Sequence, residues 1–134
     1  MKNYPVSPAL STPRGYSHVV TASGTMVFVA GQISMDKDGN VVGAGDLRAQ
    51  TTQVLENVKA ALAAAGATFA DVVKMNTYVV NLDAVALPII REVRSQYFPS
   101  ENPPASTLVG VTALAFEGLL IESKLWPCSP RTNS

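Results

Sequence analysis

The sequence predicts a two-layer α+β domain, with two amphipathic helices laid on one face of a mixed β-sheet. Three observations lead there. Apolar residues recur at helical spacing in two stretches, 47–62 and 87–98; the runs around them alternate or are rich in β-branched residues; and no linker or internal repeat interrupts the order β-β-(β)-α-β-α-β-β. A chain of 134 residues buries roughly two-thirds of its unfolded surface in one core. Residues 1–134 therefore read as a single domain, with its core over about 12–126 and tails at 1–11 and 127–134.

Each element has a local reason. "GYSHVVTA" (15–22) and "TMVFVAGQI" (25–33) are β-branched runs joined by Ser23-Gly24, the pattern of an antiparallel hairpin. Asp38-Gly39-Asn40 supplies a tight turn, and Val41-Val42 a short further strand. Asp46 is placed to cap a helix in which Leu47, Thr51, Val54, Leu55, Val58 and Leu62 share a face, and Gly66 is placed to close it. In "DVVKMNTYVVN" (71–81), Val73, Met75, Thr77 and Val79 alternate with Lys74, Asn76, Tyr78 and Val80, as in a strand with one buried face. After a turn at 81–83, Ile89, Ile90, Val93 and Tyr97 resume helical spacing, with Pro88 tolerated near the first turn. Pro99, Pro103 and Pro104 end this helix, and "STLVGVTAL" (106–114) and "LLIESKLW" (119–126) form two further strands about "AFEG". The helices can cover only one face of such a sheet. The other carries Tyr78 and similar residues, and it is expected to meet another copy of the chain.

Composition excludes several classes of function. Ten acidic residues balance ten basic ones without a lysine or arginine run, so no grip on nucleic acid is expected. No apolar span approaches the roughly 20 residues that cross a bilayer, and the start, "MKNYPVSPALSTPRGY", lacks the apolar stretch of a secretory signal. A soluble cytoplasmic protein with no membrane partner is expected. The single cysteine, Cys128, cannot form an internal disulfide or a multi-cysteine metal site. It stands in a proline-containing tail and reads as a bystander thiol or, less simply, a reactive one. His18, the only histidine, reads as a strand surface residue and makes no zinc site alone.

The blocks "RGYSHVV" (14–20), "AGQISMDKDGNVV" (30–42), "QTTQVLENVKAALAAAGATFADVVKMNTYV" (50–79), "YFP" (97–99), "PPAS" (103–106) and "LLIES" (119–123) resemble, in order, those of the Rid or YjgF family, the reactive intermediate deaminases. The resemblance implies a chorismate-mutase-like fold assembled as a homotrimer. Small-molecule clefts would lie between neighbouring subunits and hydrolyse imines and enamines to a keto acid and ammonia, without cofactor or metal.

The same resemblance nominates site residues. In deaminating members the "PPAS" block ends in arginine, which grips the substrate carboxylate; here Ser106 stands in its place. A hydroxyl offers one uncharged donor where guanidinium offers a planar, charged fork, so substrate preference is expected to differ. Glu122 matches the family's water-activating glutamate, and a carboxylate partly desolvated between leucines suits proton transfer; on pattern alone it could equally share an exposed strand face with Lys124. Tyr16 matches a cleft-bordering tyrosine or acts as a half-buried strand anchor. Gly31 and Gln32 match a strand-end turn that lines the pocket, where the glycine permits close ligand approach or forms a bulge. Arg91 lies one helical turn from Arg94 and either holds an anionic substrate in a changed pose or pairs with Glu92 or Glu101. Three readings remain: an imine or enamine hydrolase with altered substrate, a non-catalytic ligand-binding trimer, and a nucleic-acid role that the charge balance disfavours.

Overall fold

The computed structural model describes residues 1–130. Its longest helix, α1 (Leu47–Ala64), begins where Asp46 accepts a hydrogen bond from the Ala49 N–H. It ends in paired bonds from Gly66 N to Ala63 O and from Ala67 N to Leu62 O, with Gly66 at φ 69°. This is the left-handed closure that glycine adopts without penalty. Val54, Leu55, Val58 and Leu62 form the fully buried stripe, and truncating Leu62 to alanine should cost about 2–5 kcal/mol.

Four short strands precede α1: β1 (Lys2–Asn3), β2 (Thr21–Ala22), β3 (Thr25–Met26) and β4 (Val29–Ile33); β5 (Val72–Val80), α2 (Ala86–Ser95), β6 (Ala105–Val111) and β7 (Ile121–Ser129) follow it. The main sheet runs β3-β7-β5-β6, with β4 also on β7. The β5–β6 pair is parallel and the others antiparallel. A parallel neighbour requires a crossover, and α2 supplies it. Met75, Val79, Ile121 and Leu125 of the sheet meet Val54, Val58, Leu62 and Ile90 of the helices in one core. The mixed two-layer α+β architecture is as expected.

Five local expectations are corrected. The expected hairpin does not form: β2 pairs with β1, while β3 and β4 pair with β7. At Gly24 (φ 140°) the backbone runs so close to Ser129 O that a Cβ would lie 2.2 Å from it; the chain therefore swings across to the last strand instead of folding back. Residues 16–20 form a loop with one bridge, Ser17 to Ala105, so His18 is not a strand residue; its Nε2 lies 2.7 Å from Ser11 O. Val41 likewise makes a single bridge, to Met35, and Asp36 Oδ1 organises that turn by accepting from the N–H groups of Asp38 and Asn40.

In β5, Val72 and not Val73 joins Met75, Thr77 and Val79 inside, because the register slips between Val72 and Lys74. The partner of Val72 is Pro127, which has no N–H to give the ladder. Finally, neither end is merely a tail. Lys2–Asn3 pair with Thr21–Ala22, and 127–129 complete β7, where Cys128 is buried opposite Met26. Residues 131–134 of the expected tail lie outside the described residues.

Buried Gln50 is a structural residue that helical spacing did not reveal. Its Nε2 donates to Gly43 O and Gly118 O while its Oε1 accepts from Leu120 N. One side chain thus ties the loops before α1 and before β7 to the helix.

Candidate functional site

Strand register divides the nominated residues between the two faces of the sheet. Ser106 is opposite Met75, a residue of the core, and so belongs to the helix side. Glu122 is opposite Tyr78, one residue out of phase with buried Thr77 and Val79, and so belongs to the open side. Side chains alternate along a strand. Within one chain the two residues cannot look into the same cavity.

On the helix side, a cavity of about 700 Å³ opens between the loop 13–17, α2 and the start of β6. Tyr16, Arg91 and Ser106 line it together. The prolines of "PPAS" explain how Tyr16 gets there: Pro103 and Pro104 have carbonyls but no N–H, and Ser17 uses both. Its Oγ donates to Pro103 O at 2.5 Å and its N–H to Pro104 O at 3.0 Å. The loop is thereby docked on the edge strand, and the Tyr16 ring packs edge-on against His18 at 5.3 Å. The small side chain of Ser106 leaves room at the strand's mouth.

Arg94 and Arg14, not nominated as site residues, line the same cavity. The expected partner for Arg91 is engaged elsewhere: Glu92 pairs with Arg48 at 2.9 Å. Among the described residues no carboxylate lies within 4.0 Å of Arg14, Arg91 or Arg94. Burial lowers the Arg94 pKa from its ordinary value, and the neighbouring charge of Arg91 lowers it further. Arg94 lies over the Phe98 ring at 5.7 Å, a cation–π contact that holds the guanidinium without neutralising it.

On the open side, the half-buried Glu122 carboxylate lies over Gly31. A Cβ at position 31 would sit 2.0 Å from Glu122 Oε2. The register also shifts between Val29 and Gln32, so Gly31 serves both the bulge and the close approach, here of the protein's own glutamate. Gln32 donates to Ala30 O at 3.2 Å, but it stands opposite buried Ser123 while Ile33 stands opposite Glu122, so register puts the Gln32 side chain on the helix side, away from the Glu122 carboxylate. Glu122, Tyr78, Lys124, Val111 and Leu114 line a shallow cavity of about 220 Å³. The surrounding face carries several polar side chains: Lys74 donates to Thr107 Oγ1 at 2.8 Å, Asn76 donates to Tyr78 OH at 3.2 Å, and the Lys124 ammonium lies 5.2 Å from the Trp126 ring. Asn76 Oδ1 is buried without a hydrogen-bond partner among the described residues.

Among the described residues, no group of three or more His, Cys, Asp or Glu side chains could hold a metal ion, and no helix is long and apolar enough to cross a membrane.

Comparison with known proteins places this arrangement. Residues 7–126 match the family model described as endoribonuclease L-PSP. A RutC family protein of Pyrococcus abyssi is 40% identical over 105 residues, 78% of this chain and 80% of its own. The 2-iminobutanoate/2-iminopropanoate deaminase of Dermatophagoides farinae is 37% identical over 109 residues, 81% and 82% of the two chains. In structure, the chain matches YyfB of Yersinia pestis, a protein of unknown function of the conserved Rid protein family, with a TM-score of 0.88 at 39% identity over 96% and 98% of the chains. With the family match spanning most of its length and the fold shared with a Rid protein, the chain belongs to the Rid (YjgF) family.

Proposed function

We propose that this protein hydrolyses small imines or enamines in clefts between the subunits of a homotrimer. Tyr16, Arg91 and Ser106 of one subunit would bind the substrate, and Glu122 of its neighbour, held over Gly31, would supply the chemistry. The observation that carries this reading is the split itself. Each chain has a binding half on the helix side and an acidic half on the open side, and only apposition of two copies can unite them. The unpartnered Asn76 Oδ1 adds support, because a buried acceptor without a donor costs about 1–3 kcal/mol and a neighbouring subunit could provide one. Kinship with a 2-iminobutanoate/2-iminopropanoate deaminase supports the reaction class.

In this scheme an enamine first tautomerises to the imine. The Glu122 carboxylate then takes a proton from water as the water oxygen bonds to the imine carbon, and passes that proton to the nitrogen, which receives the C=N π pair. Glu122 next takes the hydroxyl proton of the resulting carbinolamine and delivers it to the nitrogen as the C–N bond breaks, leaving a carbonyl compound, ammonia and the carboxylate restored. Ser106 favours a second reading, a trimer that binds ligands without turning them over, because its hydroxyl lacks the charged fork the resemblance expects there. The endoribonuclease description of the family model names a different substrate. Equal numbers of acidic and basic residues argue against an extended polyanion surface.

The test is pyruvate release from 2-iminopropionate generated in situ, for the wild type, Glu122→Gln and Ser106→Arg. Activity that depends on Glu122 supports the hydrolase. Activity gained only with Ser106→Arg indicates a scaffold tuned to another imine, and silence in all three, with ligand binding intact, supports the binding module. Sedimentation at the mass of a single chain would remove the intersubunit cleft.

A further inference from the structure

The larger cavity holds more positive charge than one carboxylate needs. Arg14 enters it from the docked loop, Arg91 and Arg94 enter from α2, and among the described residues no aspartate or glutamate lines it. The nearest acid along the helix, Glu92, is held by Arg48. Arg91 and Arg94 repel one another from adjacent turns of the same face, an arrangement that costs stability in the empty protein and that an anionic ligand relieves. A monocarboxylate can engage one guanidinium fork in a bidentate pair. The second fork, partly buried and stacked on Phe98, then remains without a counter-charge.

Resting on the reading of this cavity as the substrate-binding half of the site, we infer that the substrate is the imine of a short dicarboxylic acid. Arg91 grips one carboxylate and Arg94 the other. Two forks one helical turn apart suit charges at the two ends of a short chain better than a single compact anion, and Arg14 adds a third positive charge from the loop side. Ser106 fits the same picture. With a small hydroxyl at the mouth of β6, the longer ligand has the space that an arginine side chain would occupy, and its anionic grip moves from the strand to α2. Arg94 is then the specificity-determining residue, and the preference it sets is for dianions over monoanions.

Calorimetric titration of the full-length protein with succinate, butyrate, inorganic phosphate and a short oligouridylate tests this directly. Succinate should bind at least about tenfold more tightly than butyrate. Arg94→Gln should abolish that preference while leaving butyrate affinity within about twofold, and Arg94→Lys, which keeps charge but loses the fork, should restore only part of it. If Arg94→Gln does not fold, the exposed Arg91→Gln should also abolish the preference, here with butyrate affinity falling about tenfold because Arg91 holds the carboxylate that both ligands share. Equal affinity for succinate and butyrate overturns the inference, as does tighter binding of phosphate or of the oligonucleotide than of succinate. Its failure is separable from failure of the hydrolase reading. Glu122-dependent turnover of 2-iminopropionate without succinate preference sinks the dicarboxylate alone; arginine-dependent succinate preference with no turnover of any imine sinks the hydrolase alone.

Discussion

The two sides of the sheet differ in how their polar groups are held. On the helix side, Arg91, Arg94 and Ser106 project from regular elements into a roomy cavity, and Tyr16 is brought there by Ser17 reading two proline carbonyls. On the open side, one carboxylate, Glu122, lies over a position that only glycine leaves free. The first region is built for charge and volume, the second for the placement of a single group. A binding half can tolerate adjustment of a side chain by a fraction of an ångström. A proton-transfer half cannot, because a shift of about 1 Å is enough to cost roughly a hundredfold in rate.

That contrast can be broken experimentally, most sharply at Glu122. Glu122→Gln keeps the shape of the side chain and removes the proton-accepting role proposed for it, so kcat for imine hydrolysis should fall by about 10²–10⁴ with little change in Tm. A loss confined to KM would reassign Glu122 to binding. Gly31→Ala comes next. The incoming methyl must displace the end of a flexible carboxylate and not backbone, so the variant should fold with less than about 1 kcal/mol of destabilisation yet lose on the order of a hundredfold in kcat. Retained activity there would show that the placement of the carboxylate over Gly31 does not matter.

On the other side, Arg91→Ala should raise KM about tenfold with kcat nearly intact, and unchanged ligand affinity would remove Arg91 from the site. The smallest effect is expected for Ser17→Ala. Loss of its hydroxyl bond to Pro103 O should cost about 1 kcal/mol and loosen the loop carrying Tyr16, read as a few-fold rise in KM and faster amide exchange over 14–18. If kcat fell more than KM rose, the loop would be serving the chemistry and the division between the two faces would fail.

Much of the fold was legible because its signals are local. Asp46 and Gly66 mark the ends of α1 through their own hydrogen bonding and backbone preference, and the α2 stripe through Ile90 and Val93 follows from period alone. The misreadings share a different cause. The Ser23-Gly24 pair resembles a hairpin turn, but the partner that decides its geometry, Ser129, is over a hundred residues away. Val73 fits the alternation, but the register with β7, another strand, shifts between Val72 and Lys74 and puts Val72 inside, opposite Pro127. Gln50 sits on an apolar stripe as a polar residue, and only three distant backbone groups explain it. Of the site, the residue types came from likeness to known blocks. Arg94 lies outside those blocks, and Arg14 opens the block "RGYSHVV" without a role that the likeness assigns to it.

By itself, the sequence determined the two helices and the three strands that follow α1, since these depend on periodicity, caps and residue chemistry within a few positions, while likeness to known blocks nominated the family and the side chains that could bind an anion or move a proton. Tertiary structure alone decided the strand register. Register sets side-chain parity, and a one-residue difference in parity puts Ser106 and Glu122 on opposite faces of one sheet. It also decided that three arginines from two segments share a cavity without an acid, because that depends on which surfaces meet and not on what any one segment prefers.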